Sequence, residues 1–297
     1  MKRLGSLVGA VLVAACLHAD LADTLKQADD LHDAERHQEV TQLLETALMT
    51  ESNARNKAEI LWRLARACLN LGDAAERSGA KDPQLLALFD RGRAYGQRAI
   101  EADPQNFQGY FWTSGNTGRW GQTKGVLQSL AKAGEMRVLL TKAADLNPRD
   151  KGTFYVLGQL YREVPGVPLS FGNAEFAVNL GRRGLDLMEA EVSSGVEEAP
   201  DFDYYTELAK SLWKRNWNAD RRAKAAADNR ARHQAAKDEL GRGGYYESTI
   251  TLASMSDRQE ARALVQKAIS GLEALATRKQ SEGDDLKEAR EVLAGFR

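Results

Sequence analysis

Apolar and small residues recur at helical spacing in several separate stretches. Leu61, Leu64, Ala65 and Cys68 form one set, Phe154, Leu157, Gly158 and Tyr161 a second, and Tyr205, Leu208, Ala209 and Leu212 a third. Ala28, Leu31, Leu44 and Ala47 fit an N-terminal set, and Ala261, Leu264, Val265, Ala268, Ile269, Leu272 and Leu275 a C-terminal one. Intervals of three and four put each set on one face of a helix. The sequence also repeats itself. Arg98–Asn106 (RAIEADPQN) aligns with Lys142–Asp150 (KAADLNPRD), and Tyr110-Phe111 then stands where Phe154-Tyr155 stands in the second copy, 44 residues on. Each copy reads as a helix ending in Asp/Asn-Pro, followed by a helix that opens with aromatics. Proline cannot continue the first helix, and it stiffens the turn into the second.

This unit resembles the tetratricopeptide repeat, a helix–turn–helix module in which small residues let two helices approach and large ones fill the gap to the next module. Tyr110, Thr113, Ser114 and Thr117 match the signature only in their place after Pro104. Extra residues separate the paired helices near 74–84, 120–129 and 165–173, as longer helices or as loops. Gly115, Gly118, Gly121 and Gly125 around Trp120 suggest an irregular connection, and Pro165-Gly166-Val167-Pro168 a loop. Beyond residue 218 the pattern changes. Asp220 to Leu240 reads as an Ala-, Arg- and Lys-rich helix with a solvated face, broken by Gly241-Arg242-Gly243-Gly244, and helices follow that would cap the array. The expected architecture is all-α: a tetratricopeptide-like helical-repeat solenoid with insertions over residues 16–219, and C-terminal helices over 220–297 packing on or capping it.

Composition agrees. The 297 residues include 44 Ala and 37 Leu but four Ile, a balance that favours helix over sheet. Charge is balanced at −1, which gives no reason to expect nucleic acid as a partner. Two cysteines cannot build a disulfide framework.

The N-terminus carries an address. Lys2-Arg3 is followed by an apolar run, Leu4 to Ala15, too short to span a bilayer and suited to a secretory signal. Its end, Val13-Ala14-Ala15-Cys16, resembles the bacterial lipobox. That resemblance implies cleavage after residue 15 and lipidation of Cys16, so that a lipid is the protein's only membrane attachment. Leu17 in place of Asp favours the outer membrane over retention in the inner one. The alternatives are an ordinary signal peptide cut near Ala19, with Cys16 discarded, and a cytosolic protein with a buried N-terminal helix.

The lipobox, the degenerate repeats with insertions, Tyr110-Phe111-Trp112 with its glycines, and Leu157-Gly158 leading to Val164-Pro165-Gly166 together resemble the T component of TRAP (tripartite ATP-independent periplasmic) transporters. That group is similar in its repeats to the regulator-of-microtubule-dynamics proteins. The resemblance spans roughly residues 55 to 215. It implies a periplasmic lipoprotein, a homotrimer, that pairs with a solute-binding protein and holds a hydrophobic or organic ligand in a cleft. The alternative is a repeat lipoprotein scaffold for envelope assembly with no small ligand.

In the repeat register, Trp62, Phe111 and Tyr155 each follow the first signature residue, where the first helix of a unit faces the groove. Arg66, Gln159 and Arg162 lie one or two turns further along. Rings there would stack on a ligand or grip a peptide, and the guanidinium groups would take a carboxylate. The alternative is that the rings pack between repeats. No catalytic residue, metal site or cofactor motif is indicated. His32 and His37 lack the four-residue spacing of zinc helices, Gly241–Gly244 lacks a phosphate-loop context, and no nucleophile elbow is present.

Overall fold

The computed structural model describes residues 21–297, and among these the regular structure is helical throughout. Cys16 and the apolar run before it lie outside the described residues. Helix starts follow from local chemistry. Asn53, Asn106, Asp150, Asn173, Asn218, Asp238 and Ser256 each cap a helix by accepting a hydrogen bond from a backbone N–H of its first turn. The chain divides into two compact units between Leu139 and Leu140.

The first unit begins with α1 (21–33) and α2 (His37–Thr50), then α3 (Ala54–Arg77) and α4 (Asp82–Ala102), then α5 (Phe107–Lys124) and most of α6 (Val126–Leu146). Helix α3 packs on α2, α4 and α5. Ala28, Val40, Leu44, Ile60, Leu64 and Ala67 form one core, and Leu61, Trp62 and Ala99 another. The extra residues near 74–84 lengthen α3 and α4 to 24 and 21 residues.

The expected irregular connection near Trp120 is absent. Gly115, Gly118 and Gly121 lie inside α5, and only Gly125, at φ +100°, breaks the chain before α6. The glycines serve close approach rather than turning. A Cβ on Gly121 would stand 3.1 Å from the Ser129 backbone. The weak repeat copy is explained in the same helix. Thr113 and Thr117 are buried and return their hydroxyls to carbonyls four residues back, so polar side chains occupy core positions at little cost.

The second unit holds α7 (Lys151–Glu163), α8 (Ala174–Ser193), α9 (Asp203–Arg215), α10 (Ala219–Ala235), α11 (Glu239–Gly244), a 3-10 turn η1 (Tyr246–Thr249), α12 (Asp257–Ala274) and α13 (Gln280–Gly295). Helix α7 pairs with α8. Gly158 makes this possible, because a Cβ there would stand 2.9 Å from the Gly181 nitrogen. Residues 165–173 form the expected loop, closed by Asn173 N–H donating to the Tyr161 carbonyl at 3.0 Å. The packing partner of α9 in sequence order would be α10. Instead α9 packs on α8 and α12, while α10, α11 and η1 form an insertion seated against α8. Helix α12 is thus the second helix of a fifth pair, and α13 covers α9 and α12.

The polar helix α10 has its expected solvated face, with most of its residues exposed, and opposite it a buried one. Arg222 is only 2% exposed and Asn229 is buried beside it on α10. Arg222 enters a closed ionic network with Arg182 of α8 and Arg215 of α9. Their partners are Glu247 of η1 with Asp257 and Glu260 of α12. Three guanidinium groups meet three carboxylates, so the buried charge sums to zero.

Candidate binding faces on the first helices of the repeats

In the first unit, α1, α3 and α5 are the leading helices of successive pairs. Trp62 is buried on α3, its ring covered by the guanidinium groups of Arg63 and Arg66 at 4.1 and 5.1 Å. Both arginines bind Asp29 of α1, Arg63 at 2.9 Å and Arg66 at 2.5 Å. Burial pushes the Asp29 carboxyl up, but the hydrogen bonds and charge of Arg63 and Arg66 outweigh burial and hold it below its ordinary value. The Trp62 indole donates to Glu59 at 3.0 Å, and Glu59 also accepts from Asn106, the cap of α5. Phe111 is half-buried and meets Trp112 edge-on at 4.9 Å. Trp112 joins the cluster around Trp62.

In the second unit, α7 supplies Tyr155, Gln159 and Arg162. Tyr155 packs against Tyr204 at 4.5 Å, and its hydroxyl donates to Asp203 at the start of α9. Gln159 is half-buried. Arg162 is buried and pairs with Glu207 of α9 at 2.6 Å, donates to the Glu207 carbonyl at 2.9 Å, and touches Glu163 at 2.7 Å.

Arg66 and Arg162 therefore already hold carboxylates of the protein itself, each from the leading helix of the neighbouring pair, so neither guanidinium stands open for a ligand carboxylate. These bridges tie leading helices together. Phe111, Tyr155, Gln159 and Arg66 are half-buried on these faces, while Trp62 and Arg162 are buried.

The Asp203 end of this face is acidic. Burial, then the negative charges of Glu207, Asp285 and Asp201, raise Asp203 to about 8. Burial, then the negative charges of Asp201, Glu288, Asp284 and Glu282, bring Asp285 to about 7. Glu207 goes the other way: burial pushes it up, but Arg162 and Lys210 hold it below its ordinary value. These pairings leave no mark in the sequence, because acidic residues are common on every helix of the chain.

The remaining candidates are structural. Cys68 is fully buried, and burial pushes its thiol up to about 11. Trp213 stacks on Phe296 at 4.2 Å, and Trp217 lies between Arg215 and Arg221. Trp120 is approached by Arg93, Lys124 and Lys132. His32 and His37 sit ring to ring at 5.3 Å, and no metal-holding cluster of His, Cys, Asp or Glu occurs among the described residues. A feature the sequence did not reveal is an open trough of about 600 Å³ between α2 and α4, with Glu45 held by Arg91 and Tyr95 in its wall.

Residues 24–169 match the family model for regulator of microtubule dynamics proteins 1–3. The bovine (Bos taurus) regulator of microtubule dynamics protein 1 is 31% identical over 150 residues, which is 50% of this chain and 45% of that protein. The mouse (Mus musculus) regulator of microtubule dynamics protein 3 is 23% identical over 47% of this chain and 29% of its own length. The chain thus spans less than half the length of these relatives. Among solved structures, a thermophilic TPR protein of Thermus thermophilus superposes with a TM-score of 0.54 at 16% identity, covering 91% of this chain and 99% of that one. Fold and comparisons agree on a helical-repeat protein of tetratricopeptide type, similar over residues 24–169 to the regulators of microtubule dynamics.

Proposed function

We propose that this chain is an exported, lipid-tethered scaffold that docks a protein partner on the leading-helix faces carrying Trp62, Arg66 and Phe111 in one unit and Tyr155, Gln159 and Arg162 in the other. The observation that carries the reading is that Trp62, Phe111 and Tyr155 hold one register on leading helices of the repeats, while Arg66 and Arg162 are closed in ion pairs within the protein. Such a face gains affinity from burying ring and aliphatic surface against a helix or peptide, and its charges set orientation. It transforms nothing.

The lipobox at Val13–Cys16 supports a place outside the cytoplasm. The names of the relatives concern microtubule dynamics, a role that would require a cytosolic chain and that we do not carry over. A solute-binding subunit of a TRAP transporter is the partner that the sequence resemblance favours, with the protein as a periplasmic accessory subunit. An envelope-assembly complex is the other form of the same reading.

Affinity capture of the full chain from membranes, with the bound proteins identified, tests this. The Phe111→Ala/Tyr155→Ala double variant is expected to keep its helical circular dichroism and lose at least tenfold of the captured partner. Capture unchanged by the double variant would remove these faces from the reading, and recovery of a solute-binding protein would decide which form it takes.

A further inference from the structure

Asp29, Glu207, Asp257 and Glu260 each meet a guanidinium of the same chain. The acids at the start of α9 do not. Asp203 accepts the Tyr155 hydroxyl at Oδ2, and Asp201 accepts the Asp203 backbone N–H at 3.1 Å. Neither meets a cation among the described residues, and there Asp285 of α13 has no hydrogen-bond or ion-pair partner at all. Cations nearby on α7 and α9 are already taken. Arg162 and Lys210 hold Glu207, and Lys151 holds Glu191 and Glu197.

These acids share one spot. Asp201 and Asp285 both act on Asp203 through their charge, and Asp201 acts on Asp285 and Tyr204 as well. The spot is reachable from solvent, since Asp201 is exposed and Asp203 and Asp285 are half-buried. Tyr204 supplies an independent observation. It is 6% exposed, its ring lies 4.5 Å from that of Tyr155, and its hydroxyl lies in the field of Asp201 and Asp203. Yet that hydroxyl has no hydrogen-bond partner among the described residues. A side chain this buried whose polar end stays unpartnered points to a partner supplied from outside.

We propose that Asp201, Asp203, Asp285 and the Tyr204 hydroxyl receive one lysine ammonium of the protein docked on the Tyr155 face. The inference rests on the docking reading above and names the chemistry of that partner. Clustered negative charge without a cation supplies the complementarity. Tyr155 occupies Oδ2 of Asp203 and leaves Oδ1 open. Spread acceptors suit an ammonium, whose three N–H bonds point in different directions, better than a planar guanidinium fork. Among the described residues they do not converge closely enough to hold a metal ion. The two tyrosine rings beside them take the methylene stem. Without the partner, Asp203 keeps its proton up to about pH 8. The arriving ammonium displaces that proton to solvent. Of the other groups facing Asp203, Asp285 titrates in the same range, while Glu207, Tyr155 and Arg162 keep their charge state from pH 6 to 9.

The test titrates fluorescein-labelled acetyl-tetralysine amide against the full chain in detergent, followed by anisotropy. Binding is expected to tighten as pH rises from 6 to 9. Asp203→Asn and Asp285→Asn should each weaken it roughly tenfold at pH 9, the scale of one lost charge-assisted hydrogen bond, with helical circular dichroism unchanged. Glu101→Gln makes the same charge change at an exposed site on α4 and should leave binding alone. The Nε-acetylated peptide should not bind. A wild type that does not bind, an equal loss in Glu101→Gln, an affinity flat in pH, or binding of the acetylated peptide would each overturn the proposal. Cadaverine or calcium displacing the peptide at equal concentration would assign the site to a free amine or a metal ion and overturn it too. So would partner capture that is lost in Phe111→Ala/Tyr155→Ala but kept in Asp203→Asn/Asp285→Asn, which leaves the docking reading intact. That reading fails separately, through unchanged capture by the aromatic double variant.

Discussion

Asp203 shows how much one carboxyl can differ from its neighbours. It shares the start of α9 with Asp201, faces Glu207 and Asp285, and accepts the Tyr155 hydroxyl. Burial and like charge raise it to about 8, well above an unfolded aspartate near 4. A raised acid binds its proton more tightly folded than unfolded. Its contribution to stability is therefore fully present below the unfolded value and is lost as pH rises through about 8. Asp285, at about 7, adds to the loss in the same window. Glu207 is depressed, so it is already ionised there and does not offset the change. The melting temperature is expected to fall between pH 5 and pH 9. Asp203→Asn should remove much of that fall, by several degrees on the scale of roughly 2–4 °C per kcal/mol for a chain of this size class. An equal slope in the Asn variant, followed by circular dichroism, would mean that Asp203 ionises freely in the native state.

At the scale of elements, the ionic network decides how the α10–η1 insertion is held. Arg222 and Asn229 are the buried side chains of α10, so the helix has almost no apolar grip of its own. Its place depends on Arg222 reaching Asp257 at 3.2 Å and Glu260 at 2.5 Å, and on the Met255 carbonyl at 2.6 Å. Asp257 is fully buried, and it also accepts from Arg215 and from the Trp217 backbone. Asp257→Ala leaves two buried guanidinium groups short of a partner and should cost about 3–5 kcal/mol. Urea unfolding followed by tryptophan fluorescence checks this in the transition that reports Trp213 and Trp217. The Arg215→Ala/Asp257→Ala double variant should cost less than the sum of its parts.

This network also marks where the sequence stopped being legible. Helical period and Asp/Asn-Pro turns are local signals, and they placed α3, α7 and α9 with their buried faces and α5 by its position after Pro104. The pairing of α9 with α12 across an insertion is not local, and neither is the burial of Arg222 in a helix that otherwise reads as solvated. The glycines of α5 misled for a related reason, since a glycine needed for close approach looks in sequence like one needed for a turn. At the candidate faces, sequence placed Trp62, Arg66, Tyr155 and Arg162 on leading helices but carried no sign that Asp29 and Glu207 occupy the arginines.

For the molecule as a whole, the question that bears most on function is where the repeat body works. A helical-repeat fold is compatible with any compartment, and the relatives share less than half their length with this chain. No helix among the described residues is long and apolar enough to cross a membrane. The attachment proposed from the sequence rests on chemistry at one side chain, the Cys16 thiol that the lipobox reading makes the acyl acceptor. Acyl chains contribute about 0.8 kcal/mol per buried methylene, so two or more chains hold a soluble body at a bilayer where one holds it only marginally. Cys16→Ala removes the acceptor without touching the repeats. The variant is expected to lose fatty-acid labelling entirely and to move from the membrane pellet to the soluble fraction, while its helical circular dichroism and melting match the wild type. Labelling with retained membrane association after the substitution would put the anchor elsewhere. An unlabelled wild type whose mature N-terminus lies near Ala19 would leave an exported scaffold with no lipid, and the partner would then have to be sought among soluble proteins of that compartment.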